Sequence, residues 1–288
     1  MYISTEIGSL SKYGTHKEIL LLLKNSGFTA YDFSFFHNHI KVLQKKNYLE
    51  YAKELKAYAD EIGIVCNQAH APFPSIRVGN ETHNSFIYPH IVKAIEFAGV
   101  LGAKTIVVHP CNDYNAEQNA EFYQRLLPHA KKANIKICLE NMWNWKDGAP
   151  TACDAAWSHH EDFKRHLDLL PLEHFGACLD IGHAQMAGLN TSPEIMIKTL
   201  GNRLIALHIH DNDYLHDNHV IPFTFTQDYQ KVIEALVEVG YEGDITFEAE
   251  NYFLQMPKEL MPLGARYMAE LGKYFATEIE NKKSRDNI

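Results

Sequence analysis

The chain has 288 residues, with 27 Lys plus Arg against 36 Asp plus Glu and a formal net charge of −9 when His is neutral. A composition of 46% hydrophobic and 22% charged residues belongs to a globular chain with a large core, and excludes disordered and fibrous classes. The acidic balance disfavours a nucleic-acid coat or a membrane-surface protein, both of which draw on a basic excess.

In chain order, short apolar or β-branched runs alternate with longer stretches of helical period. Strands are predicted at 2–7, 28–33, 64–69, 105–109, 135–140, 175–180, 204–210 and 244–248. Helices are predicted between them at 17–25, 48–62, 84–101, 116–132, 161–170, 193–200, 228–239 and 257–275. Gly27, Gly63, Gly102 and Gly240 stand as stop signals after helical runs, and Pro193 and Pro257 stand at helix starts. Such repeats call for parallel strands joined by right-handed crossovers. A doubly wound open sheet would want a Gly-rich phosphate loop after an early strand, and Gly8 is alone. The expected fold is therefore α/β, a single (β/α)8 TIM barrel over residues 1–277, with a polar C-terminal tail at 278–288. The apolar run 19–23 stops at Lys24, no run of about 18 apolar residues could span a bilayer, and no leader pattern opens the chain. Five scattered cysteines without a CxxC pair suit reduced thiols and a cytoplasmic location.

The strand ends carry the chemistry. His70 closes or just follows the third strand, His109 ends the fourth, Glu140 the fifth and Asp180 the sixth, with His183 one turn on. His208 lies on the seventh strand, Asp217 and His219 in the loop after it, and Glu248 ends the eighth. In a barrel, the carboxyl ends of all strands open into one mouth. Nine imidazoles and carboxylates gathered there need cations, because unpaired buried carboxylates are costly. Nitrogen and oxygen donors without cysteine suit Zn, Mn or Fe(II). Any one of these residues alone would read more simply as a loop hydrogen bond or helix cap; six strand ends in phase would not.

Other residues keep two readings. His210 faces the same side of the strand as His208 and is either a substrate hydrogen bond or a packed imidazole. Trp143 and Trp145 either stack on a sugar or base or wall the mouth, and Asp211 braces its loop. Asp32 either orients a ligand histidine or forms a structural pair. His16, His37, His39, His83, His90, His129, His159, His160, His166 and His174 fall in loops or helices and are assigned no ligand role.

The ordered motifs match a family. Gln68-Ala-His-Ala-Pro72, Val107-Val-His109-Pro, Leu139-Glu140-Asn, Leu179-Asp180-Ile-Gly-His183, His208-Ile-His-Asp211, Asp217-Asn-His219 and Gly243-Asp-Ile-Thr-Phe-Glu248 together resemble the xylose isomerase-like TIM-barrel superfamily. That superfamily holds sugar isomerases and epimerases together with endonuclease IV. In the epimerase branch, the resemblance implies one metal on Glu140, Asp180, His208 and Glu248. The two glutamates are then the catalytic pair: one takes a proton from the carbon next to a ketose carbonyl and the other returns it, while His183 holds a substrate oxygen. In the endonuclease IV branch it implies three zinc sites. Glu140 bridges a site with His70 and His109 to the site with Asp180, His208 and Glu248, and His183, Asp217 and His219 make the third.

Departures from both branches are visible. Tyr214 and Leu215 stand where many ketose epimerases carry an Arg, and Ala71-Pro72-Phe73-Pro74 replaces the Tyr-Leu loop that endonuclease IV inserts into DNA. No strand-end loop is basic, as phosphate-backbone binding would want. The leading expectation is a sugar or sugar-derivative isomerase/epimerase with a divalent cofactor, Mn or Zn, one to three per chain. Its substrate-binding residues would be His183, His210 and Trp143, and its partner a small carbohydrate, with no membrane and no nucleic acid. The alternative is a multinuclear zinc phosphodiesterase of the AP-endonuclease type; a ligand-binding subunit without turnover is a third class. Leu-rich helices and abundant Tyr and Phe suit a homo-oligomer contact or core packing equally well.

Overall fold

The computed structural model describes residues 1–36 and 39–286, so His37 lies outside the described residues. Among the described residues are eight strands: β1 (Ile3–Thr5), β2 (Ala30–Ser34), β3 (Val65–His70), β4 (Thr105–Val107), β5 (Lys136–Glu140), β6 (Phe175–Asp180), β7 (Leu204–His208) and β8 (Ile245–Phe247). The helices are α1 (His16–Ser26), α2 (Tyr48–Ile62), α3 (Glu81–Leu101), α4 (Ala116–Ala133), α5 (His160–Asp168), α6 (Ile181–Gln185), α7 (Pro193–Leu200), α8 (Tyr229–Glu238), α9 (Glu250–Leu254) and α10 (Met261–Asp286).

β2 to β7 pair in sequence order as one parallel sheet, and β1 pairs with β8. Parallel bridges Glu6–Asp32 and Ile209–Phe247 join the two pieces. Backbone bonds cross both seams, Ile7 N to Asp32 O at 3.2 Å and Ile209 N to Thr246 O at 2.9 Å. The ring of strands is closed, and the expected TIM barrel is the fold.

Local sequence explains why the elements stop where they do. Thr15 and Glu18 form a capping box at α1, and Asn115 and Gln118 form one at α4. Gly27, Gly63 and Gly102 end α1, α2 and α3 in the left-handed region, where a glycine costs least. β2 and β6 are buried along their whole length, as a parallel sheet covered by helices requires. Large side chains such as Tyr123, Trp157, Phe163 and Phe175 fill the layer between strands and helices. The lumen takes small ones: Val107, Cys138, Cys178 and Ala206 pack together there. Each lies two residues before His109, Glu140, Asp180 or His208, so this layer is a floor under the mouth.

Three elements differ from expectation. α6 and α9 are five-residue helices that follow β6 and β8 directly. The segment expected as a tail continues as α10 to Asp286, with Ile279 fully buried. Lys283 Nζ there donates to Tyr241 O, so the last turns of α10 are tied to the barrel. All five cysteines are free, and no helix among the described residues is long and apolar enough to cross a membrane.

Candidate metal centre

Register delivers the donors to one place. Asp180 and His208 are direct partners across β6 and β7, while Glu140 lies opposite Cys178 and His70 opposite Val107. Glu248 follows β8, its N–H bonded to Ile209 O at 3.2 Å. The nine expected residues converge at the carboxyl end of the barrel in three overlapping groups.

The first group is His70, His109 and Glu140. His70 Nε2 lies 3.1 Å from His109 Nε2 and 3.3 Å from Glu140 Oε2, and His109 Nε2 lies 3.1 Å from the same oxygen. Glu140 turns its other oxygen to the second group: Oε1 is 2.9 Å from His208 Nδ1, and Glu248 Oε2 is 3.2 Å from that same nitrogen. Donor atoms of Glu140, Asp180, His208 and Glu248 all fall within 4.8 Å of one another. His183, Asp217 and His219 form the third, with Asp217 Oδ2 at 3.3 Å from His183 Nε2 and 3.1 Å from His219 Nε2. His210 joins this group, within the same 4.8 Å limit.

The protonation pattern tests whether cations fit. His70 Nδ1 lies 2.7 Å from Ala71 O, His183 Nδ1 2.9 Å from Asn141 O, and His219 Nδ1 2.7 Å from Glu248 O. A carbonyl oxygen can only accept, so each Nδ1 carries a hydrogen, and Nε2 is left to hold either a second proton or, as a lone pair, a metal ion. These Nε2 atoms face carboxylate oxygens and one another. Only protons or metal ions can occupy such positions without repulsion. Asp180 Oδ2, His210 Nε2 and Asp217 Oδ1 are moreover buried with no hydrogen-bond partner, which protein groups rarely tolerate. Imidazole and carboxylate donors in this number and arrangement fit divalent transition ions.

The electrostatics agree. Burial alone pushes the Glu140 carboxyl up, but His208 and His109 outweigh it and hold it well below the usual range. Glu248 is brought down to about 2 in the same way, chiefly by His208. Burial lowers His183, yet Asp180 and Asp217 raise it to about 10. The carboxylates are thus ionised and demand positive charge, and a metal ion that replaces the protons releases them.

Outer contacts hold the donors still. Asn141 pairs with the Asp180 backbone in both directions, Nδ2 to O at 3.0 Å and N to Oδ1 at 2.8 Å. Trp143 donates Nε1–H to Asp217 Oδ2 at 3.2 Å, while Trp145 is exposed. Asp32 accepts from Gln68 Nε2 at 2.9 Å and sits 3.9 Å from His208 Nε2. Asp211 Oδ2 accepts from Phe225 N at 2.9 Å, bracing its loop. Of the histidines given no ligand role, His16, His39, His83 and His166 are tied into local hydrogen bonds.

Two residues near the mouth escaped the sequence reading. Phe73, 45% exposed, stacks on His109 with centroids 4.9 Å apart and meets His70 edge-on at 5.7 Å. Glu6, just after β1, is fully buried and accepts from Ser9 N and Ser34 Oγ. Burial, with the charges of Glu250 and Glu248, lifts its carboxyl to about 7 despite the Ser9 bonds. The strand-end rule applied to Thr5-Glu6-Ile7 would have found it; nothing local marks Phe73. A cavity of about 750 Å³ lined by Asn67, Lys104, Lys136 and Asp244 lies at the opposite end, where the strands begin.

A family profile described as a xylose isomerase-like TIM barrel matches residues 20–271. The chain belongs to that family. An uncharacterized protein of Methanocaldococcus jannaschii is 29% identical over 221 residues, 73% of this chain and 71% of its own. A solved D-tagatose 3-epimerase-like protein superposes with a TM-score of 0.75 at 22% identity, over 98% of this chain and 99% of its own. The IolI protein, solved with a bound zinc atom, superposes with a TM-score of 0.73 at 17% identity, over 98% and 99%. These identities carry the fold; the activity of this xylose isomerase-like chain rests on its own residues.

Proposed function

We propose that the chain is a divalent-metal-dependent isomerase or epimerase of a sugar or sugar derivative, moving a proton next to a carbonyl. The observation that carries this reading is the meeting of Glu140 and Glu248, from non-neighbouring strands, on one nitrogen of His208 at 2.9 and 3.2 Å. Two carboxylates so placed can serve as a pair: one takes the proton from the carbon, and the other, protonated beforehand, returns one. Glu140, Asp180, His208 and Glu248 would hold the reacting ion. When bound, a divalent ion supplies positive charge that polarises the substrate carbonyl. His208 fixes both glutamates, and Phe73, exposed above His109, offers an apolar wall for a sugar face. The neighbour described as D-tagatose 3-epimerase-like supports this class of substrate.

Incubation with a panel of ketoses and ketose derivatives in deuterated water is expected to place deuterium beside the carbonyl, and Glu140→Gln or Glu248→Gln to slow this by ~100-fold or more. No exchange from any panel member with metal-loaded protein would count against the proposal.

A second reading, a multinuclear zinc phosphodiesterase acting on abasic-site DNA, is favoured by one observation, the three overlapping donor groups. Against it, residues 181–192, 209–228 and 249–256, which follow β6, β7 and β8, contain no Lys or Arg. Nicking of abasic duplex DNA, abolished by Glu140→Gln, would replace the first reading with this one.

A further inference from the structure

We propose that the third donor group is a closed four-ligand cation site in which His210 is the fourth ligand, and that its ion pins the loop after β7 instead of serving the proton transfer. The inference rests on reading the mouth as a metal centre and goes beyond that reading by separating a structural ion from the reacting one.

His210 is 0% exposed and its Nε2 has no hydrogen-bond partner. That nitrogen lies 2.9 Å from Asp180 Oδ1 in a geometry that forms no hydrogen bond, and 3.7 Å from Asp217 Oδ1, which is buried and unpartnered as well. Two unsatisfied donor atoms thus face each other inside a group that already contains His183 and His219. The His210 ring also stacks on His219, centroids 3.9 Å apart and planes 13° from parallel.

The imidazole has no freedom to turn toward a substrate instead. A Cβ on Gly182 would lie 1.9 Å from His210 Cε1, so the ring is seated directly against the backbone of α6. Tyr229 Oη donates to His210 O at 3.0 Å, and Asp211 and Val220 exchange backbone bonds at 2.8 and 3.2 Å just beyond. Trp143 braces Asp217 from outside. Three imidazoles and one carboxylate make a nitrogen-rich set of four, which suits a zinc-class ion with tetrahedral geometry and leaves no position for substrate. The group of Glu140, Asp180, His208 and Glu248, richer in carboxylate, is the one left to serve the reaction.

The ligands also explain the loop. Asp217 and His219 lie two residues apart on the segment between β7 and α8, His183 belongs to α6, and His210 stands two residues beyond β7. An ion on all four would fasten that segment to two barrel elements at once.

The test uses the full chain, metal-stripped and reloaded with Zn or Co(II) alone. In the wild type, the tightest Co(II) equivalent should give the intense visible absorption of a four-coordinate ion, and Glu140→Gln should keep it. His210→Ala should weaken that equivalent by at least the ~100-fold that losing even an outer-shell partner can produce. The visible band should fade as water enters. His210→Cys should restore the band and add a near-ultraviolet thiolate-to-cobalt absorption absent from the wild type, a readout that a packing role cannot mimic. Circular dichroism identifies variants that have unfolded, and the Cys variant keeps the test decisive if the Ala variant does. A wild type that binds metal with a spectrum and count indifferent to residue 210 overturns this inference alone. A wild type that binds no divalent ion overturns the metal reading of the mouth together with it.

Discussion

A single methyl group at Gly182 is enough to test how tightly the donors are held. The position is helical, so alanine meets no backbone penalty there, but its Cβ would overlap the His210 ring. Overpacking of this kind costs roughly 1–3 kcal/mol and here must be relieved by moving the imidazole. Gly182→Ala is expected to unfold cooperatively at a lower temperature and to retain about one fewer tightly held metal equivalent. Calorimetry and elemental analysis of the same sample check both. At this scale, the convergence of most of the candidate donors was legible because imidazole and carboxylate stand out where β-branched strands end. His210 was found by phase but not by role, since alternation places it on the side of His208 without saying which neighbour it meets. Phe73 was invisible for a physical reason: an aromatic in a Pro-rich loop has no periodicity to declare its direction.

At the level of elements, α1 is joined to α2 and to the segment after β2 through one neutral imidazole. His16 Nδ1 lies 2.7 Å from Tyr51 Oη, and His16 Nε2 lies 2.8 Å from His39 Nδ1. Burial, with His39 and Lys45 nearby, lowers its pKa to about 3. The sign follows from proton binding. Below about pH 6.5 the unfolded chain takes up a proton at His16 that the folded chain refuses until about pH 3. The stabilisation is therefore fully present above about pH 6.5 and is lost progressively as pH falls toward 3. In His16→Gln, this part of the acid sensitivity should disappear, so urea melts at pH 7 and pH 5 should differ less than in the wild type. Long elements were readable because α2 and α4 carry several turns of apolar period and clear caps. α6 and α9 were not, because five residues hold barely more than one turn. The end of α10 looked like a tail because charged residues crowd its sequence and the buried Ile279 is a single apolar signal.

Over the whole molecule, the donor groups draw on the carboxyl ends of six consecutive strands, β3 to β8. Without an ion, Glu140, Asp180, Asp217 and Glu248 have only protons to neutralise them, so on the proposed metal reading chelation is expected to lower the melting temperature and Zn or Mn to restore it. One ion present at a hundred times its Kd adds about 2.7 kcal/mol. An unchanged melting temperature after complete stripping of a metal-loaded sample would show that no ion couples to folding here. The closed ring itself followed from alternation and short links, but its two single-bridge seams had no counterpart in the sequence, since pairing across them depends on the last strand reaching the first.

The pairing of β1 with β8 has a bearing on synthesis. Of the described strands, β8, which Glu248 follows, is the last to leave the ribosome, and Ile3 has no partner at Ile245 until it does. A nascent chain that stops before it can own Asp180 and His208 yet lack both the closing stave and one carboxylate of the reacting group. On the proposed metal reading, completion of the four-donor group and sealing of the cylinder are the same late event.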